Sequence, residues 1–186
     1  MKLTVSKRSG SSKQELSQIR RAGNVPAVLY SKGEVGQAIE VNGAEFRAIL
    51  RNIKKGCLST TVFLLKGDGA HQHRAILKDI QYEPTTYDVW HLDFEELFDT
   101  VPVTINVPIQ CVGVVDCVGI KLGGVLRQVI RTLKVSCLPK DIPSEFQLDI
   151  KELLLFQTKR LADIALPSGM RPVANMNEVA VVIAKR

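Results

Sequence analysis

Long apolar runs are missing from this 186-residue sequence. A helix that spans a bilayer needs about 18 or more consecutive apolar residues, and no such stretch occurs, so we expect no membrane span. The first ten residues are polar and basic and lack the apolar core of a signal peptide. Both absences favour a cytoplasmic protein without a membrane partner.

Cysteine and histidine motifs are also missing. The four cysteines are Cys57, Cys111, Cys117 and Cys137. None forms a C-x-x-C pair and no Cys/His cluster has zinc-ligand spacing, so we predict small buried thiols in a reducing compartment. His71 and His73 could ligate a metal, but no third ligand follows nearby, which favours a solvated loop. We expect no metal and no other cofactor.

Signatures of catalysis are absent as well. The sequence has no G-x-S-x-G elbow, H-E-x-x-H motif, P-loop or dinucleotide fingerprint. His91 and Asp93 lie two residues apart on a predicted strand and should share a face. Such a pair could perform acid–base chemistry, could offer a donor and an acceptor to a nucleic acid, or could be the polar side of an edge strand. The residues alone leave these three interpretations open.

What the sequence does have is an uneven charge distribution. Residues 1–78 hold 14 Lys/Arg and 5 Asp/Glu, residues 79–100 hold 7 acidic residues and no Lys or Arg, and residues 101–186 hold 11 basic and 7 acidic residues. Lys and Arg neutralise phosphates and release counterions, and a tyrosine can stack on an unpaired base. The candidate nucleic-acid residues are therefore Lys7, Arg8, Lys13, Arg20, Arg21, Tyr30 and Lys32. A solvated basic face is the alternative.

Helical and strand patterns mix in the first half. Ser12 and Glu15 form a capping box before a helix over 13–22, and Asn42 precedes a second helix with an apolar stripe. Strands are predicted at 25–30, 37–41, 60–65, 74–82 and 88–94. On the last of these, Trp90, Leu92 and Phe94 should share the apolar face.

The second half is mostly β. Alternating apolar residues predict strands over 101–109, 133–137, 146–150 and 178–184. Pro102 and Pro108 predict that the first of these lies at a sheet edge. The acidic stretch from Asp93 to Asp99 is interpreted as a boundary. We predict an α+β protein with domains at 1–96 and 97–186.

Several motifs then resemble one known family. The segment Arg20-Arg21-Ala-Gly-Asn-Val-Pro-Ala-Val-Leu-Tyr30 resembles the R-x-x-G-x-x-P-A-V-x-Y signature of the general stress protein Ctc family, whose members are bacterial large-subunit ribosomal proteins. Four further segments resemble that family in the same order: Leu77-Lys-Asp-Ile-Gln81, His91-Leu-Asp93-Phe94, Gly119-Ile-Lys-Leu-Gly-Gly-Val-Leu126 and Cys137-Leu-Pro-Lys-Asp-Ile-Pro143.

This resemblance implies a fold and a function. The fold would be an N-terminal β-barrel with flanking helices, which binds 5S ribosomal RNA around an internal loop, followed by a β domain that contacts neighbouring components of the large subunit. By carry-over, Arg20 and Arg21 would contact phosphates and Tyr30 would lie on the RNA face. Four further residues would contact sugar, phosphate or base edges: Lys78, Gln81, His91 and Asp93. The resemblance implies no enzymatic activity and no small-molecule substrate.

Two other function classes stay open beside this one. An enzyme acting on RNA would use His91 and Asp93 as acid–base partners, but no nucleophile or cofactor motif accompanies them. A stress-related interaction module would dock a protein through the C-terminal β domain. The expected localisation is cytoplasmic and ribosome-associated.

Overall fold

The computed structural model describes residues 1–8, 12–31, 33, 35–67, 72–167 and 169–185. The chain divides into two units, Met1–Val101 and Pro102–Arg186. Among the described residues, no helix has the length and hydropathy needed to cross a membrane.

Unit 1 is built on a closed six-stranded barrel with the strand order β1-β3-β2-β6-β5-β4. Its strands are β1 (Lys2–Lys7), β2 (Val25–Tyr30), β3 (Gln37–Val41), β4 (Val62–Lys66), β5 (Gln72–Tyr82) and β6 (Val89–Glu96). The predicted hairpin of β2 and β3 is confirmed by their antiparallel pairing. β2 also runs parallel to β6, and β1 runs parallel to β4, so the sheet closes without a free edge.

Alternating side chains fill the barrel. Inward residues on β6 are Leu92 and Phe94, both fully buried. Phe63 of β4 makes an edge contact with Phe94, with ring centroids 5.7 Å apart. Because the side-chain period of a strand is two, the intervening residues of β6 must point outward.

Two helices flank the barrel, and both begin at the capping residues that the sequence predicts. α1 (Lys13–Arg21) begins at the predicted capping box: the Glu15 amide donates to the Ser12 hydroxyl, and the Ser12 amide donates to the Glu15 carboxylate. α2 (Gly43–Asn52) begins at Asn42, whose side chain accepts from two backbone amides. α2 buries Phe46, whereas α1 buries no residue at all.

Unit 2 contains a four-stranded sheet and a three-stranded sheet, with orders β10-β7-β9-β12 and β11-β13-β8. Its elements are β7 (Val103–Val112), α3 (Val118–Lys121), β8 (Gly124–Gln128), β9 (Thr132–Cys137), β10 (Phe146–Asp149), β11 (Thr158–Arg160), β12 (Arg171–Pro172) and β13 (Val179–Lys185), with 3₁₀ turns at Pro139–Asp141 and Leu161–Asp163. The predicted α+β class is confirmed.

The edge position predicted for the first strand of unit 2 is wrong. β7 lies between β9 and β10. It pairs with β9 as far as Pro108 and with β10 from Ile109 onward. Pro108 therefore sits where the strand changes partner, so its missing N–H group leaves no gap in either ladder.

Candidate nucleic-acid interface

The outer side of β2, β6 and β5 gathers polar side chains. Tyr30 of β2 lies opposite Glu95 of β6, and Gln81 of β5 lies opposite His91 of β6. Asp79 likewise faces Asp93. We call this surface the barrel face and define it as Tyr30, Lys78, Asp79, Gln81, His91, Asp93 and Glu95. Five of these seven residues were singled out from the sequence.

His91 and Asp93 do share the barrel face. The Nδ1 atom of His91 lies 2.7 Å from a carboxylate oxygen of Asp93. This bond fixes the orientation of the imidazole and leaves Nε2 for a ligand. A neutral ring accepts a hydrogen bond at Nε2 and a protonated ring donates one, so the pair can match either a hydroxyl group or a phosphate.

Lys78 reaches the barrel face through an irregularity in β5. The register with β6 shifts between Leu77 and Asp79, which leaves Lys78 as the extra residue. A β-bulge re-aims a side chain in this way. The Lys78 ammonium lies 2.6 Å from the Glu95 carboxylate.

Tyr30 lies at the same end of the barrel face as Lys78 and Glu95. Burial raises the pKa of its hydroxyl, and the nearby carboxylates of Glu95, Asp93 and Asp79 raise it further. The hydroxyl therefore stays protonated and can act as a hydrogen-bond donor, while the half-buried ring offers a flat apolar surface.

Arg20 lies beside the other end of the barrel face, where it contacts Trp90. Its guanidinium carbon lies 3.7 Å from the ring centroid of Trp90, and its Nε donates to the Trp90 carbonyl oxygen at 3.3 Å. Burial lowers the pKa of Arg20, while Glu83 raises it and Arg8 lowers it. Arg8 itself follows β1, where its backbone amide donates to the Ala38 carbonyl oxygen.

Trp90 corrects one sequence-based prediction. It was assigned to the buried side of β6 with Leu92 and Phe94, but it is 40% exposed. A register shift in the pairing of β5 with β6 leaves Trp90 as an extra residue of β6. Val89, which the alternation predicts on the polar face, packs against the barrel core instead, and Arg20 stacks on the exposed ring of Trp90. The predicted alternation therefore holds from Leu92 onward but not across this bulge, whose position depends on the pairing with β5.

The remaining candidates are scattered. Arg21 is exposed at the end of α1 and Lys13 is exposed at its start. Lys7 is exposed at the end of β1, opposite Ile39. Within the described part of the chain, no contact joins Lys7 or Lys13 to the barrel face. Lys32 and His71 lie outside the described residues.

Sequence reasoning missed two of the three acidic residues of the barrel face. Asp79 and Glu95 were counted only in an acidic stretch, although the spacing of His91 and Asp93 extends directly to Glu95. The rest of that stretch is also bound into the fold. Glu96 lies 2.6 Å from His73, and Asp99 lies 3.1 Å from Arg74.

This arrangement presents donors and acceptors together. Phosphate oxygens need cationic donors, which the arginines beside the barrel face provide, while sugar hydroxyls and base amino groups need acceptors such as Asp93. Across the described ranges, no group of three or more His, Cys, Asp or Glu residues could hold a metal ion.

Comparisons with known proteins cover both units. Residues 3–94 match the ribosomal L25p family, and residues 102–186 match the C-terminal domain of ribosomal protein TL5. The large ribosomal subunit protein bL25 of Chlamydia trachomatis serovar L2 is 50% identical over 186 residues, which is the whole of both chains. The bL25 proteins of Chlamydia muridarum and Chlamydia pneumoniae are 47% and 46% identical over the same full length. All three bear names of ribosomal proteins and not of enzymes.

Proposed function

The chain belongs to the ribosomal L25p family of large-ribosomal-subunit proteins, and from this premise we propose that it binds 5S ribosomal RNA through the barrel face and the adjacent arginines. It acts in the cytoplasm as part of the ribosome and performs no catalysis. The observation that carries the proposal is the convergence of five predicted residues on one side of a closed barrel: Tyr30, Lys78, Gln81, His91 and Asp93.

RNA structure explains why such a face is suitable. The major groove of a regular A-form helix is too deep and narrow for side chains, so proteins read internal loops, where bases and sugars are accessible. Phosphate contacts from Arg20 and Arg21 would fix the position of the RNA. His91 and Asp93 would then contact sugar hydroxyls or base edges, and Tyr30 would pack against a sugar or base.

The carboxylates on the barrel face fit this proposal. Glu95 is ion-paired with Lys78, and Asp93 is hydrogen-bonded to His91, so neither presents an isolated negative charge to the RNA. A carboxylate that accepts from a 2′-hydroxyl or an amino group discriminates between nucleotides, which a surface made only of cations does not.

The test is binding of the full chain to 5S ribosomal RNA over a salt series, with tRNA as competitor. We expect saturable binding that tRNA does not displace. His91→Ala should weaken it by about 10-fold or more, in line with about 1–3 kcal/mol for a specifying contact. Lys140→Ala in unit 2 is the matched control. Equal affinity for tRNA, with His91→Ala neutral, would refute the proposal.

Unit 2 has a separate part in this proposal. Its surface exposes Leu122 at 62% and Phe156 at 71%. Exposed large apolar side chains favour contact with other macromolecules, which we assign to neighbouring components of the large subunit. If unit 2 instead docks a stress-related protein, a Phe156→Ser variant would lose that partner and keep its affinity for 5S ribosomal RNA.

A further inference from the structure

A cleft of about 270 Å³ lies where the end of α1, the start of α2 and the connection from β5 to β6 meet. Its charged lining consists of Arg20, Arg21, Arg47, Glu83 and Asp88. Arg47 lies on the first turns of α2, and no sequence motif marked it. The cleft adjoins the barrel face at Trp90, which lines it too.

Two glycines bring these elements together. Gly23 follows α1 with a φ of +85°, a conformation that favours glycine. A Cβ atom on Gly43 would overlap the carbonyl oxygen of Gly23. The first turn of α2 therefore lies directly against the chain that leaves α1, and Arg47 faces the same space as Arg20 and Arg21.

The three guanidinium groups keep donors available. Arg20 and Arg47 use only Nε, which donates to the carbonyl oxygens of Trp90 and Gly43 respectively. Their terminal Nη groups, and the whole guanidinium of Arg21, have no hydrogen-bond partner among the described residues. Three cationic forks thus line one cleft with unused donors, a geometry that matches the oxygens of a phosphate.

The two acidic residues of the cleft indicate which class of ligand fits it. Three arginines and two carboxylates leave a positive balance of one charge. A bare anion would use only the arginines. A ribonucleotide also carries a 2′-hydroxyl that can donate to Glu83 or Asp88, so both kinds of lining group find partners.

We propose that this cleft is a second subsite for the bound RNA, which takes one backbone nucleotide: its phosphate contacts Arg47 together with Arg20 and Arg21. The inference rests on the proposed binding of 5S ribosomal RNA and extends the contact surface beyond the barrel face. Trp90 is a positioning residue in this subsite. Its indole supports the plane of the Arg20 guanidinium and its carbonyl group fixes Nε, so the Nη groups point in a defined direction.

The first test compares two arginines of α2 in the full chain. Arg47→Ala should weaken binding of 5S ribosomal RNA by about 5- to 10-fold near 0.1 M salt, and it should reduce the salt slope by roughly one. Arg51→Ala removes the same charge one turn further along α2, outside the cleft, and should change neither quantity.

The second test concerns Trp90, the only tryptophan of the chain. Trp90→Ala should weaken binding about as much as Arg20→Ala does, and the double variant should be no weaker than either single variant. Trp90→Phe keeps a ring under Arg20 and should retain most of the affinity. The emission of Trp90 should change when the wild-type chain is titrated with the RNA.

The outcomes separate the two proposals. If wild type binds 5S ribosomal RNA saturably, while Arg47→Ala binds equally well and Trp90 emission stays constant, the cleft is no subsite and the proposed function stands. If wild type does not prefer 5S ribosomal RNA over tRNA, both proposals fail. Equal losses for Arg47→Ala and Arg51→Ala would show a general charge effect and would overturn the inference. Circular dichroism of each variant verifies the fold.

Discussion

Individual glycines determine how closely the helices of unit 1 approach each other. Gly43 touches the backbone of Gly23, where no side chain fits, whereas Gly67 has nothing within 4 Å of an added Cβ atom. The two residues look equivalent in the sequence. Their opposite environments follow only from the packing of α2, and they allow a matched comparison.

We predict that Gly43→Ala lowers the free energy of unfolding by about 1–3 kcal/mol, because the added methyl group forces α2 away from Gly23. Gly67→Ala should change it by less than about 0.5 kcal/mol. Urea denaturation followed by circular dichroism measures both. A stable Gly43→Ala variant would mean that α2 can shift without loss of packing, and the cleft would then also change shape.

The thiols give a second prediction for single residues. Burial raises the pKa of Cys111 and of Cys137, and Asp141 raises that of Cys137 further. A raised pKa lowers the thiolate fraction at any pH below it, so both should react with Ellman's reagent at pH 8 more slowly than free cysteine. The prediction is sharpest for Cys111, which is partly exposed. Reaction of Cys111 at the rate of free cysteine, mapped by mass spectrometry, would contradict it.

Among the elements, α1 depends most on local interactions. None of its residues is buried, so its stability comes from the capping box and from its basic last turn. The sequence predicted this helix accurately for that reason: its determinants are neighbours along the chain. The position of α1 over the rim of the barrel depends instead on the contact of Arg20 with Trp90, 70 residues away.

We predict that Ser12→Ala lowers the local stability of α1 by about 0.5–2 kcal/mol, so that the helix frays, without a matching loss of global stability. Hydrogen exchange of the α1 amides should accelerate, while exchange in the barrel strands should not. Ser17→Ala is the control, because the Ser17 hydroxyl donates to the Lys13 carbonyl within the helix and caps nothing. If Ser12→Ala lowered the global unfolding midpoint instead, α1 would have to be a structural part of the barrel core.

β1 illustrates an element that the sequence did not reveal. It has only two buried side chains, Leu3 and Val5, and a basic composition. Two apolar positions are too few to define a period of two. Its identity as a strand comes from its partners: it pairs with β3 on one side and with β4 on the other, and so closes the barrel.

At the scale of the whole molecule, each unit has its own core. Phe63 is buried inside the barrel of unit 1, and Leu133 is buried in unit 2. Trp90 lies in unit 1, so tryptophan fluorescence reports the unfolding of that unit, while circular dichroism reports both.

We predict that Phe63→Ala lowers the stability seen by fluorescence by about 3–5 kcal/mol, since it removes a buried aromatic ring. Leu133→Ala should lower the free energy of unfolding of unit 2, followed by circular dichroism, by about 2–5 kcal/mol. It should leave the fluorescence transition unchanged. Equal shifts of both transitions in Leu133→Ala would instead show that the units unfold together.

The charge distribution along the sequence differs from the charge distribution on the folded surface. The sequence has a basic first part and an acidic stretch, and of the acidic residues it predicts only Asp93 as part of the nucleic-acid site. The fold places Asp79, Asp93 and Glu95 from the acidic stretch on the barrel face beside Lys78 and His91. The barrel face therefore offers acceptors as well as donors.

The features that can be predicted from the amino-acid sequence are those that depend on near neighbours along the chain. These are the two capped helices, the hairpin of β2 and β3, the shared face of His91 and Asp93 and the family, which its motifs identify. Three features depend on distant partners and become visible only in the fold: the closure of the barrel by β1, the exposure of Trp90, and the cleft that Arg47 and Arg20 both line. Hydrogen-bonding periods and caps act over a few residues and can be read along the chain, whereas a cleft requires elements whose separation in space no local pattern encodes.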